Sequence, residues 1–176
     1  MKIKSMRKQI QMIVFSALAT ILMFIAIPII PLAPFLTVDI SDVSLLLLAQ
    51  MTKRRYALVG SILSALLYWS IQAFSLPVLI GLVGHLVFTW TYICSYPKIK
   101  SLWKQIILQF IVSVLANIFF LLPAYEMLLH FELPYSLCIY LFCALLPYLI
   151  VKTALVHWIV HECQKLPFVS KKERIG

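Results

Sequence analysis

Lys152 differs in setting from the fourteen other Lys and Arg residues. The others fall in short clusters between apolar runs, whereas Lys152 lies inside one. A charged side chain at such a depth is costly unless it is paired, neutral or lining a cavity, which makes Lys152 a candidate binding donor. Snorkelling, or pairing with a backbone carbonyl, is the structural reading of the same residue. No acidic partner is evident for it within the apolar runs, so Lys152→Met is expected to fold at least as well as the parent. Its expected companions are Asn117, the strongly polar residue of another apolar run, and the backbone of 35–39. Asp39 and Asp42 belong to the stretch PLAPFLTVDISDVS (Pro31–Ser44) and suit the start of a helix. Asp39 can accept an N–H two or three residues on, and Asp42 places negative charge in the first turn. Phe35, Tyr68, Trp69, Tyr125 and Tyr148 supply aromatic surface. With a few polar groups they suit a flat, partly apolar organic ligand, although each alone serves equally as bundle core or interfacial belt.

Other chemistry is thinly represented. His157 and His161 stand four apart on one helix face, beside Glu162, as a metal pair would, but no third ligand is obvious and no metal site is expected. The chain carries neither G-x-S-x-G nor H-E-x-x-H, and its four glycines form no phosphate cradle. No catalytic role and no cofactor are therefore expected, and work against a gradient must draw on another subunit or an ion. Cys94, Cys138, Cys143 and Cys163 contain no CxxC pair and read as small buried apolar residues.

The elements that must position these residues are set by composition. The 176 residues are 63% hydrophobic, with a mean hydropathy of +1.01, well above a water-soluble domain. The pattern predicts an all-α integral membrane protein, a single domain over 1–176 with six spans near 10–27, 40–51, 56–73, 78–96, 105–122 and 136–162. The first, preceded by MKIKSMRKQIQ, is long for a secretory signal and lacks an A-x-A site, so it is expected to be retained. The second is too short to cross alone and must combine with the proline-interrupted stretch 31–38. Irregular backbone at that depth is tolerated where protein or a wet cavity covers it, which makes the stretch a candidate pocket wall. Pro147 is expected to break the sixth span, and 123–134 to form a connection. On the first, Ser16, Ala17, Ala19 and Thr20 make a small-residue face fit for close helix approach, by a partner or within the bundle.

Charge supplies the orientation. With six spans, both termini and the basic clusters at 2–8, 53–55, 98–104 and 165–174 share one side, and Asp39, Asp42, Glu126 and Glu132 share the other. The positive-inside rule makes the first side cytoplasmic. The net charge of +9 is thus topological, and no nucleic-acid partner is expected.

Three stretches carry a resemblance: SALATILMFIAIPIIPLAPFLTVDISDVS (Ser16–Ser44), LANIFFLLPAYEM (Leu115–Met127) and ALLPYLIVKTAL (Ala144–Leu155). Over about residues 10–165 the chain resembles the S components of energy-coupling factor (ECF) vitamin transporters, most closely the riboflavin-binding type. The resemblance implies a six-helix bundle in the bacterial cell membrane that captures a vitamin at its outer face. Delivery then depends on a transmembrane coupling subunit and two ATPase subunits. It implies ligand contacts from Phe35, Leu36, Thr37, Asn117 and Lys152, with Asp39, Tyr68 and Tyr125 beside them, and coupling-subunit docking on Ser16, Ala17, Ala19 and Thr20. The chain departs from the riboflavin-type pattern at Leu149, at Leu63-Ser64 and at GLVGHL (Gly81–Leu86). Pantothenate and a pyrimidine or pyridine precursor are the alternative ligands. A small intramembrane enzyme and a stand-alone carrier are the alternatives of other classes.

Overall fold

The computed structural model describes residues 2–28, 37–99, 101–129, 136 and 140–165. Among them the chain forms six helical rods: α1 Lys2–Met23, α2 Ser41–Met51, α3 Arg54–Ile71, α4 Leu76–Ser95, α5 over 102–129 and α6 over 140–164. The all-α expectation holds, with one local addition: Ile27–Pro28 (β1) pairs antiparallel with Thr37–Val38 (β2), Ile27 opposite Val38. Phe35 and Leu36 lie outside the described residues, as does the 130–134 part of the expected connection.

The α3–α4 turn is built without glycine. Ala73 and Phe74 take positive φ of 52° and 57°, a conformation that costs an L-residue about 1–2 kcal/mol. Local bonds offset this. Phe74 N–H donates to Trp69 O at 3.0 Å, the Trp69 indole donates to Ser75 O at 2.9 Å, and the two rings meet edge-on. Pro77 then sits in the first turn of α4, where its missing N–H is not required.

Two further prolines shape α5 and α6 differently from expectation. Instead of ending at 122, α5 runs on to Leu129 and carries a π turn at Asn117–Leu121, just before Pro123. Likewise α6 is not broken at Pro147 but opens with a π turn, Tyr140–Leu145, ahead of it. An interior proline leaves the carbonyl four residues back without a donor. Shifting to i+5 pairing lets the residue after the proline serve that carbonyl, which explains why both π turns stand where they do. Tyr125 and Glu126, expected in a connection, are therefore on a helix.

α2 is the centre of the bundle, touching α1, α3, α4 and α6. Seven of its residues are buried, among them Ser41, Asp42, Leu45 and Leu46. Its eleven residues rise only about 17 Å, so its first turn stops inside the protein. α1 packs on α2 and α3 through small groups. Ser16 donates to Gly60 O at 2.9 Å, Thr20 to Ser64 O at 3.3 Å, and Ser44 to Phe15 O at 2.8 Å. Gly60 has no room for more, since a Cβ there would lie 2.7 Å from Leu48 Cδ2. Among the described residues, three helices, Leu76–Ser95, Leu102–Leu128 and Phe142–Gln164, are long and apolar enough to cross a membrane. Lipid gives no hydrophobic drive between helices, so close packing and interhelical hydrogen bonds of this kind hold such a bundle together.

Candidate ligand-binding site

The first turn of α2 and the middle of α6 meet at a buried ion pair. Lys152 Nζ lies 2.9 Å from Asp42 Oδ2, and Asp42 Oδ1 lies 3.0 Å from His85 Nδ1 on α4. Asp42 is fully buried, and Lys152 and His85 are 5% and 6% exposed. Asp39 stands beside them, its Oδ2 3.9 Å from the same ammonium. Its Oδ1 accepts from both the backbone N–H and the hydroxyl of Ser41, as its place before the helix foretold, although the residue directly preceding the helix is Ile40. Phe88 completes the setting, with its ring centroid 5.0 Å from the ammonium.

This corrects the expectation that Lys152 lacks an acidic partner. Asp42 supplies a negative charge near the α2 N-terminus as expected, but its geometry is that of a counter-ion bridging α4 and α6. Asp42 and His85 are the two functional candidates that the sequence reasoning missed. Elimination could have found the first, because Asp39 and Asp42 are the carboxylates nearest an apolar run that a membrane lysine can reach. For His85 the chemistry of GLVGHL alone was too weak a signal.

Above the ion pair opens a cavity of about 350 Å³. Five of the expected ligand residues line it: Asp39, Tyr68, Asn117, Tyr125 and Lys152. Thr37 is placed on β2 by its backbone. Tyr140, Tyr148 and Phe88 add aromatic wall, Gly81 and Gly84 keep the α4 side low, and Leu149 lies where the riboflavin-type pattern has Asn. Asn117 opens the α5 π turn and donates to Ser113 O at 2.9 Å. Ser113 Oγ and His85 Nε2 also belong to residues of the cavity wall, are buried, and make no hydrogen bond. Buried polar groups are rarely left unpaired, so such atoms on a cavity wall mark places for a ligand's polar edge.

The carboxylates and His85 also bear on metal binding. Ligand atoms of Asp39, Asp42 and His85 lie within 4.8 Å of one another, a spacing suited to a small cation. The Lys152 ammonium already provides that positive charge against Asp42, so the chain supplies its own cation. The histidine pair His157 and His161 does not converge on a ligand either. His157 is buried and its Nε2 hydrogen-bonds to Gln109 Oε1, whose amide donates to Phe88 O at 3.0 Å, whereas His161 is exposed. Among the cysteines, Cys94 and Cys163 are half-buried and Cys143 is exposed, which corrects the expectation that all are buried; Cys138 lies outside the described residues.

The small-residue face of α1 divides. Ser16, Ala19 and Thr20 are buried against α2 and α3, so the expectation that all four residues face a docking partner is corrected. Their small size serves packing within the bundle, and of the four only Ala17 is exposed.

A solved structure of the S component of a bacterial ECF transporter superposes on this chain with a TM-score of 0.74. The match covers 92% of this chain and 95% of the other, at 24% sequence identity. The chain has the S-component fold. Comparison of the sequence with protein-family models and with curated proteins gives no match. The S-component fold agrees with the six rods and the apolar helices of a membrane protein.

Proposed function

We propose that the chain is the substrate-capture subunit of an ECF-type importer, a binding protein rather than an enzyme. The observation that carries this reading is the cavity itself. In an S-component fold, aromatic walls, unpartnered polar atoms and a buried Lys152–Asp42–His85 cluster converge on one ligand-sized space. Such a space suits a flat organic ligand with a few polar groups. Riboflavin or a related flavin is the reading the sequence resemblance favours, with Lys152 and Asn117 donating to the ring. Phe35, Leu36 and Thr37 would contact it from the segment joining α1 to α2.

The basic clusters give the orientation. With helices alternating in direction, the N-terminal part of α1, the α2–α3 junction, the α4–α5 junction and the end of α6 fall at one end of the bundle, while Met23, Asp39, Tyr68, Pro77 and Tyr125 bring the cavity's lining from the opposite helix ends. By the positive-inside rule the termini are cytoplasmic and the cavity faces outward across the cell membrane. Partners follow from the same reading: a transmembrane coupling subunit and two ATPase subunits, with the exposed α1 face around Ala17 as the docking surface. The test is mass spectrometry of the small molecule that leaves the detergent-purified protein on denaturation, with co-purification of the coupling and ATPase subunits. Recovery of a vitamin supports the proposal; a folded protein that yields no ligand and no such partners overturns it.

A further inference from the structure

Asp42 is held by two cations at once. Its Oδ2 lies 2.9 Å from the Lys152 ammonium and its Oδ1 3.0 Å from His85 Nδ1, while Asp39 adds a second carboxylate 3.9 Å from the same ammonium. One ammonium leaves a buried pair of carboxylates uncompensated, and an imidazolium at His85 supplies the second positive charge. Among the described residues, the other ionisable groups of the cavity wall are tyrosines, uncharged near neutral pH. The charges of Asp39, Asp42, His85 and Lys152 therefore sum to zero, and both ring nitrogens of His85 carry protons.

Nδ1 is engaged with Asp42, but Nε2 has no hydrogen-bond partner in the protein, and neither has Ser113 Oγ. Both belong to residues more than nine-tenths buried that line the same cavity. They also stand in register. α4 and α5 are consecutive, antiparallel helices, tied together where the Gln109 amide donates to Phe88 O at 3.0 Å. One turn further along each helix, toward the cavity, come Ser113 and His85. A hydroxyl proton rotates to suit its partner, so this wall offers two donors side by side and no protein acceptor for either. We propose that His85 Nε2–H and the Ser113 hydroxyl together receive one carbonyl oxygen of the ligand, and that the substrate is an uncharged ring bearing such an oxo group. The inference rests on the capture-subunit reading and narrows its substrate class. The aromatic walls suit a flat ring, the balanced cluster asks for no charge on it, and a donor carrying positive charge makes the carbonyl the anchor. The dioxo ring of a flavin falls within the class; an aminopyrimidine without an oxo group falls outside it.

Calorimetry with riboflavin as the probe tests this on the purified parent, His85→Phe, Ser113→Ala and the double variant. His85→Phe keeps a flat ring and removes the donor, so binding should weaken about tenfold or more, as for a hydrogen bond to a charged group. Either donor alone still satisfies the oxygen, whereas losing both strands it in a dry site. The double variant should therefore lose more than the product of the two single losses. A double loss at or below that product would mean separate contacts and would overturn the proposal, as would unchanged affinity in His85→Phe. If His85→Phe does not fold, nitrogen-15 histidine NMR on the parent decides. Both ring nitrogens of His85 should read as protonated without ligand, and the Nε2–H signal should shift on saturation with riboflavin. An unprotonated Nε2, or a signal that stays put, overturns the proposal. If riboflavin does not bind, the co-purified molecule takes its place in the same titrations, and one without a carbonyl oxygen overturns the proposal at once. A folded protein that takes up no small molecule at all removes the capture-subunit reading itself.

Discussion

Lys152 on α6 and Asp42 on α2 form an ion pair of 2.9 Å with both side chains buried, 110 positions apart in sequence. The pair reverses the expected effect of removing the lysine. Lys152→Met leaves Asp42 and Asp39 without an ammonium, and an unpaired buried charge costs about 3–5 kcal/mol. The variant should melt well below the parent in detergent, and Lys152→Met/Asp42→Asn should recover much of the loss. A single variant as stable as the parent would show that the pair contributes nothing.

Ser113 offers a substitution with opposite signs in two states. Its hydroxyl is buried and makes no hydrogen bond within the protein, so Ser113→Ala removes an unsatisfied group and should leave the ligand-free protein as stable or up to about 1 kcal/mol more stable. If the ligand supplies the partner, the same change should weaken binding by about fivefold to tenfold. Melting curves with and without the co-purified ligand separate the two effects. Equal affinity in parent and variant would exclude Ser113 from the contact set.

Ala17 and Ala19 separate docking from packing. Ala19 is fully buried, and a large residue there should destabilise the protein by overpacking, about 1–3 kcal/mol or more. Ala17 is exposed on α1, so Ala17→Trp should fold and bind ligand normally while losing assembly with the coupling subunit and hence uptake. Unimpaired uptake in Ala17→Trp would remove this face from the docking surface.

Topology is checked by labelling single cysteines in a background free of native ones. Met127, 78% exposed near the end of α5, should react as Met127→Cys with a membrane-impermeant reagent added outside intact cells. Lys53→Cys, at the α2–α3 junction, should react only after permeabilisation. The reverse pattern would invert the bundle.

The six rods were legible because apolar length and charge clusters report directly on membrane crossing. So was the gathering of Lys152, Asn117 and Asp39 around one cavity, since each is a polar residue in a costly place. The pairing of Lys152 with Asp42 was not, because a first-turn carboxylate has a sufficient local role and sequence spacing says nothing about contact across 110 positions. The continuation of α5 past Pro123 was missed for a related reason. A proline ends a helix only if the orphaned carbonyl finds no other donor, and the π turn provides one. For the α1 small-residue face, sequence alone left partner and internal packing equally open. Gly60 and Ser64 on α3 decided it for Ser16 and Thr20.

The π turn in α5 also acts as a phase shifter. Upstream, Gln105, Gln109 and Ser113 point inward at intervals of four, and an unbroken helix would carry that stripe on toward Phe120. Instead Phe120 is 72% exposed while Leu121 and Leu122 are buried, a slip of one residue that swings the C-terminal half of the rod by about 100°, the rotation of one helical residue. Tyr125 reaches the cavity because of that slip. The N-terminal half of α5 is therefore free to keep its knobs seated against α4 and α6 while the C-terminal half is re-aimed by a single insertion or deletion. A lineage carrying this bundle has a mechanical vernier for changing what it holds without disturbing how it is held together.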